Sequence, residues 1–189
     1  MKKYILFFLS VLLIDIIISN LIFKNIKYWD NNKWEKKWWR VSSSIYHHDI
    51  LPNTDQIEVW GGQIKQRLIT NSLGFRDKEV RKIEKVNLQQ KRILLIGDSF
   101  IEGSGLNFEY TFAGQLQRDL GSDFEVLNSA VGSYSPSIYY KKVKYYIEEG
   151  YKFDQALVFL DVSDIYDEMF IKFNEQGDIL TYEETKNRP

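Results

Sequence analysis

Residues 92–99 read RILLIGDS, an apolar run followed at once by a glycine, an aspartate and a serine. A short continuous apolar run is typical of a strand that is buried on both faces of a parallel sheet. Two similar units follow, EVLNSAV over 125–131 and QALVFLDV over 155–162. Segments with helical features lie between them, TFAGQLQRDL over 111–120 and a stretch over about 136–150. This alternation predicts an α/β domain built on a parallel sheet.

Polar residues follow each of the three predicted strands. They are Asp98-Ser99, Gly132-Ser133 and Ser163-Asp164. Because the carboxyl ends of parallel strands meet at one edge of an open sheet, where ligands bind, we expect these loops to share a crevice. A Gly-Asp-Ser tripeptide alone is ordinary turn chemistry, so the convergence of three loops is what predicts a site.

The segments RILLIGDSFIEGSG (92–105), VLNSAVGSYS (126–135) and LVFLDVSD (157–164) resemble the first three sequence blocks of SGNH/GDSL esterases and acyl-transfer enzymes. The resemblance covers about residues 70–168. It implies a three-layer, flavodoxin-like α/β fold whose sheet has about five strands, so the three predicted here would form an incomplete sheet. It also implies that Ser99 is the nucleophile. The upstream NSLGFRD (71–77) is similar to the lead-in of bacterial, often membrane-attached members linked to surface polysaccharides; within it, Phe75 is predicted to pack in the core.

The resemblance assigns the oxyanion-binding donors as well. Ser99 would offer its own N–H, and the family's second-block glycine aligns with Ser133, one place after Gly132. Ser163 stands where the family has an asparagine, and its hydroxyl has a shorter reach. Loss of one oxyanion donor costs on the order of 100-fold or more in rate.

The family's base, the histidine of an Asp-x-x-His block, has no counterpart, because no histidine follows His48. A serine hydroxyl is a poor nucleophile until a base takes its proton. We therefore expect the chain to be the amino-terminal part of a longer protein. His47 and His48 would replace the missing base only if the lead-in folded across the site, which we do not expect. Without a third ligand they make a weak metal site, and we interpret them as a pair on a surface loop.

Composition excludes several classes of function. Cysteine is absent, which rules out disulfides, thiol catalysis and zinc–thiolate sites. A net charge of −1 gives no electrostatic reason to expect nucleic acid as a partner. The acidic group Asp164, Asp167 and Glu168 is interpreted as capping a helix N-terminus, with Asp164 as the cap, and no metal or cofactor is predicted.

The amino terminus carries the longest apolar run, YILFFLSVLLIDIIISNLIF over 4–23. Its length suits a membrane-spanning helix, and we favour that over a cleaved signal peptide or a buried amphipathic helix. The predicted organisation is an anchor over 1–24, a juxtamembrane linker and lead-in over 25–90, and the SGNH-like domain over 91–189. Basic residues after the run favour a cytoplasmic domain, whereas the family resemblance favours an extracytoplasmic one, which we prefer. Trp29, Trp34, Trp38 and Trp39 suit either a membrane-interface belt or packing against the domain.

Three functions stay open. The preferred one is a serine esterase or O-acyltransferase that acts on ester-bearing, cell-surface carbohydrate through an acyl-enzyme. The second is a catalytically inactive relative that serves as a glycan-binding or assembly module. The third treats the Gly-Asp-Ser and Ser-Asp pairs as strand-end turns without a site, because similarity of fold does not fix function.

Overall fold

A computed structural model describes residues 2–25, 39–60 and 63–186 of the chain. The chain divides into two compact units, Met1–Lys37 and Trp38–Pro189. The first unit holds helix α1, Lys2–Asn25. Within the described ranges no helix is long and apolar enough to cross a membrane, so the span predicted over 4–23 lacks structural support. Trp29, Trp34 and Trp38 lie outside the described residues, and Trp39 packs against the core of the second unit.

The second unit begins with two antiparallel hairpins. The remaining elements alternate strands and helices as the sequence predicts. In chain order the elements are β1 (Arg40–Ser43), β2 (His47–Ile50), β3 (Asp55–Trp60), β4 (Ile64–Ile69), β5 (Lys91–Ile96), α2 (Ser99–Glu102), α3 (Phe112–Leu120), β6 (Phe124–Asn128), α4 (Pro136–Glu148), β7 (Gln155–Val158), α5 (Ser163–Phe170) and α6 (Tyr182–Lys186).

Strands β5, β6 and β7 form a three-stranded parallel sheet in the order β6-β5-β7. The predicted mixed α/β class and parallel sheet are therefore confirmed. The second and third strands are shorter than predicted, ending at Asn128 and Val158. Strand β5 is central, and all of its residues except Lys91 are buried. This explains the apolar run over 93–96, since a central parallel strand is covered on both faces, while the buried Arg92 is paired with Glu125.

Alternate side chains of β5 enter different parts of the core. Ile93 and Leu95 pack in a cluster with Ala113 of α3. Leu94 packs in a second cluster with Tyr146 of α4, and Ile96 in a third that also contains α4 residues. Because successive side chains of a strand point to opposite faces, α3 and α4 cover opposite faces of the sheet. The unit therefore has a helix–sheet–helix arrangement.

The two edges of the sheet differ. At β6, Arg76 of the lead-in pairs with Asn128 in an isolated antiparallel bridge. At β7, all four residues are exposed. Apolar side chains just beyond β7 are exposed as well, including Leu160 at 68% and Val162 at 85%. An open strand edge of this kind presents unpaired backbone groups.

The lead-in over 39–90 belongs to the second unit and packs against the elements that follow it. Phe75 is buried, with its ring 4.8 Å from that of Tyr146, which confirms that it packs in the core. Gly74 adopts φ +77°, and a Cβ there would lie 2.3 Å from the carbonyl oxygen of Ile50. A side chain at this position would therefore force β2 and the 71–77 turn apart. The predicted domain boundaries after residues 24 and 90 stay predictions.

Candidate active site

Ser99 lies where β5 passes into α2. Asp98 caps this short helix, its Oδ1 accepting a hydrogen bond from the N–H of Phe100 at 2.9 Å. The Ser99 hydroxyl, half-buried, lies 3.4 Å from Asp98 Oδ2. The strand thus delivers a serine hydroxyl and a carboxylate to its carboxyl end, where the sequence predicts the crevice.

Ser163, the first residue of α5, reaches the same carboxylate. Its hydroxyl lies 2.6 Å from Asp161 Oδ1 and 3.3 Å from Asp98 Oδ2. The structure therefore brings Ser99 and Ser163 to one carboxylate from two adjacent strands. Burial raises the pKa of Asp98, the charges of Asp161 and Asp164 raise it further, and the hydrogen bond from Phe100 opposes them.

Gly132 is the third predicted site residue that the structure places here. A Cβ built on it would lie 3.5 Å from the Cβ of Ser99. Its N–H, however, donates to Glu102 Oε2 at 2.6 Å, so it is already engaged. The next residue, Ser133, is exposed and adopts φ +63°. Within the described residues no hydrogen bond involves the Ser133 N–H.

The interpretation of the two histidines as a surface loop pair is wrong. Both belong to β2, and His47 is buried. His48 Nε2 lies 2.8 Å from the carbonyl oxygen of Gly132, so the lead-in does fold over the site. Because a carbonyl oxygen only accepts, Nε2 carries the hydrogen, and Nδ1 faces His47 Nδ1 at 2.7 Å. No hydrogen bond joins Ser99 to a histidine in the ranges described.

Burial keeps His48 neutral. It lowers the pKa of His48 to about 4, although the hydrogen bond to Gly132 works against this. The positive charges of Lys142 and Arg40 push the pKa in the same downward direction as burial. At neutral pH the ring is therefore an uncharged donor to Gly132.

Sequence reasoning missed a buried charged network beneath the site. Glu102 and Glu58 are both fully buried, and the guanidinium of Arg40 bridges them. Arg40 donates to Glu102 at 3.0 and 2.5 Å and to Glu58 at 3.3 Å. Burial alone would raise the pKa of Glu102, but Arg40, the Gly132 N–H and Arg76 together lower it. Glutamate is usually exposed, and nothing in the sequence around Glu102 indicates that it is buried.

Arg76 supports the same region through that region's backbone carbonyl groups. Its guanidinium is buried and donates to the carbonyl oxygens of Glu102 and Gly103 at 2.7 and 2.6 Å, and to that of Leu106. Burial lowers its pKa. These contacts place the Arg76 side chain inside the protein, paired with backbone carbonyl groups.

The predicted capping role of Asp164 is also wrong. The residue preceding α5 is Val162, and Asp164 is buried in the first turn of the helix. Its carboxylate accepts from the Tyr139 hydroxyl at 2.6 Å and from the Asp161 N–H at 3.0 Å. In the part of the chain that the structure describes, no group of three or more acidic or histidine side chains is placed to hold a metal ion.

Comparison with protein-family models, with curated proteins and with solved structures found no match to this chain. The SGNH/GDSL resemblance therefore stays a prediction. Function has to be inferred from the chemistry of the residues themselves, because architecture alone does not specify it.

Proposed function

We propose that this protein is a serine esterase or O-acyltransferase of the SGNH/GDSL type, with Ser99 as nucleophile. The observation that carries the proposal is the meeting of three strand ends at one point. Ser99 and Ser163 both lie within 3.4 Å of Asp98 Oδ2, and Gly132 approaches Ser99 directly. A helix–sheet–helix layering with the serine after the central strand suits the flavodoxin-like fold that the resemblance implies.

In the proposed reaction the Ser99 oxygen attacks the carbonyl carbon of an ester. The hydroxyl proton passes to a base, the alcohol leaves with a proton, and an acyl-serine remains. Water or a second hydroxyl then takes the acyl group, which distinguishes hydrolysis from transfer. Among the described residues, Asp98 is the carboxylate placed to accept the proton, and its raised pKa makes it a better base than an exposed aspartate.

The developing oxyanion needs donors close to Ser99. The N–H groups of Ser99 and Ser133 are the candidates. The hydroxyl of Ser163 would join them only after leaving Asp161 Oδ1, and the N–H of Gly132 is held by Glu102. Donors fixed before reaction stabilise the transition state without reorganisation. The resemblance of residues 71–77 to surface-polysaccharide enzymes supports an acylated, cell-surface carbohydrate as substrate. A single-pass, extracytoplasmic location belongs to the same proposal.

A specific observation favours a second function, a catalytically inactive glycan-binding or assembly module. His48 is bonded to the carbonyl of Gly132 and not to Ser99. Ser163 also takes the position of the family's asparagine and is occupied by Asp161. The crevice would then bind an acylated sugar without cleaving it.

Activated-serine labelling separates the two functions. The purified chain is treated with a fluorophosphonate probe, and the modified residue is identified by mass spectrometry. We expect the wild type to be labelled at Ser99 and Ser99→Ala not to be labelled. The matched control Ser104→Ala should be labelled like the wild type. Asp98→Asn keeps the helix cap, since asparagine caps as well as aspartate, but removes the base and should slow labelling by on the order of 100-fold. A folded wild-type protein that is not labelled would refute the enzyme and favour the binding module.

A further inference from the structure

Both backbone polar groups of Gly132 are held by side chains from elsewhere in the chain. Its N–H donates to Glu102 Oε2 at 2.6 Å, and its carbonyl oxygen accepts from His48 Nε2 at 2.8 Å. Backbone groups usually pair with other backbone groups, and two side-chain partners on one glycine fix the position of its peptide units. Glu102 is fully buried, so the carboxylate itself has little freedom to move.

Gly132 belongs to a turn over 132–134, and Tyr134 reinforces the contact between this turn and His48 of β2. The hydroxyl of Tyr134 donates to the carbonyl oxygen of His48 at 2.8 Å. Its ring stands edge-on to the His48 ring, with centroids 4.9 Å apart at 74°. His48 therefore contacts the turn on both sides of Ser133, through its side chain at Gly132 and through its backbone at Tyr134.

Two residues next to this contact carry backbone strain. Ser133 adopts φ +63° and His47 adopts φ +80°, a region that residues with a side chain rarely occupy. Such conformations persist only where the surrounding contacts enforce them, and they concentrate at functional sites. Here the two strained residues each adjoin one partner of the His48–Gly132 hydrogen bond.

One hairpin supplies the support for both ends of Gly132. Strands β1 and β2 pair antiparallel, so Arg40 and His48 belong to the same two-stranded unit. His48 contacts Gly132 directly, and Arg40 holds Glu102 through two hydrogen bonds. The hairpin thus contacts a turn that lies more than 80 residues further along the chain.

We propose that the β1–β2 hairpin is a clamp that fixes the Gly132–Tyr134 turn, and with it the Ser133 N–H, beside Ser99. His48 and Arg40 are then positioning residues for the oxyanion-binding loop. This inference rests on the proposed function, since a positioned N–H donor matters only if an oxyanion forms. It differs from a base role for His48, because the Nε2 hydrogen is committed to a carbonyl oxygen.

Two substitutions at one position isolate the clamp's hydrogen bond. His48→Phe keeps a ring against Tyr134 but cannot donate to Gly132. His48→Gln loses the ring but offers an amide donor of similar reach. If His48 only packs against Tyr134, His48→Phe should resemble the wild type more closely than His48→Gln does. If its hydrogen bond holds the turn, His48→Gln should be the closer of the two. Tyr134→Phe tests the same contact from the other side and serves if His48→Phe does not fold.

The first readout is amide hydrogen exchange in the full chain, which needs no substrate. The N–H of Gly132 donates to Glu102 and that of Tyr134 donates to the carbonyl oxygen of Val131, so both amides report on the turn. We expect His48→Phe to speed exchange at Gly132 and Tyr134 by about tenfold, as suits the loss of one buried hydrogen bond, and His48→Gln to stay near wild type. Ser129, whose N–H donates to Leu95 of the sheet at 2.9 Å, is the internal control and should not change. The second readout is the rate of fluorophosphonate labelling at Ser99, which should fall by about tenfold in His48→Phe alone.

The outcomes separate the inference from the function beneath it. Unchanged exchange at Gly132 and Tyr134 in both His48→Phe and Tyr134→Phe overturns the clamp. Faster exchange in His48→Phe with an undiminished rate of labelling at Ser99 also overturns the clamp. The hairpin would then hold the turn without any effect on Ser99. The proposed function would stand in that case. A wild-type protein that shows protected amides but no labelling fails the proposed function instead, and the positioning role falls with it.

Discussion

Replacing Arg40 with methionine removes a guanidinium from between two fully buried carboxylates. Arg40 donates to Glu102 at 3.0 and 2.5 Å and lies 3.3 Å from Glu58, while its own side chain is 25% exposed. Removing one partner of a buried ion pair costs about 3–5 kcal/mol, because the other charge is left desolvated. Arg40 is partly exposed, and the guanidinium of Arg76 stays nearby in the variant. Both reduce the cost, so we expect Arg40→Met to lower the free energy of unfolding by about 3 kcal/mol.

Urea denaturation followed by tryptophan fluorescence measures this loss. With a slope of about 2 kcal/mol per molar urea, the midpoint of Arg40→Met should fall by about 1.5 M at pH 7. The matched control is Arg67→Met, which breaks a two-bond pair with Asp55 of equally good geometry on the other hairpin. That pair is exposed on both sides, at 59% and 43%, so its loss should shift the urea midpoint far less than the loss of Arg40 does.

The pH dependence of the difference gives a second check. In the wild type the pKa of Glu102 is lowered, so its contribution is present above the ordinary carboxyl pKa and is lost as the pH falls through the lowered value. In Arg40→Met, burial raises the pKa of Glu102, and the variant recovers stability when that carboxyl is protonated. The gap between the two proteins should therefore narrow as the pH falls from 7 to 5. Two results would refute this reasoning. One is a loss of stability in Arg40→Met no larger than that in Arg67→Met, and the other is a stability difference from the wild type that grows as the pH falls.

Two further stability predictions follow from buried residues. Phe75→Ala should lower the free energy of unfolding by about 3–5 kcal/mol, since the ring is buried against Tyr146. Phe75→Leu should lower it clearly less, and equal losses for the two variants in urea titrations would contradict this packing. Burial lowers the pKa of His48 from its ordinary value near 6.5 to about 4, so the unfolded chain binds a proton that the native chain does not, and stability should fall as the pH drops from 6.5 towards 4. His48→Gln should flatten that fall between pH 6.5 and 5, and an unchanged slope would show that His48 is not buried in its neutral form.

Local sequence was enough to predict the parallel sheet and the region of the candidate site. The apolar run 92–96 is buried as a central strand, and Thr111 caps α3 by accepting from the Gly114 N–H at 3.1 Å. These features depend on neighbours in the chain or on burial of a whole face. Both leave a periodic or positional trace in the sequence. The meeting of Ser99 with Ser163 followed in turn, because parallel strands bring their carboxyl ends to one edge.

The contacts around Gly132 left no such trace. Two adjacent histidines carry no periodic signal, yet His48 lies in a strand and its ring bonds to a carbonyl 84 residues away. Arg40 and Glu102, 62 residues apart, meet as a buried ion pair, although each alone would be expected at the surface.

The physical reason lies in the range of the forces. Hydrophobic burial is non-directional and is encoded residue by residue in the local pattern. A buried charge or hydrogen-bonding group is stable only when a specific partner lies within about 3 Å. Which segments come that close is settled only when the lead-in folds back over the sheet, so the parallel sheet could be predicted from the chain alone, whereas the network that holds the site loop was decided by tertiary structure.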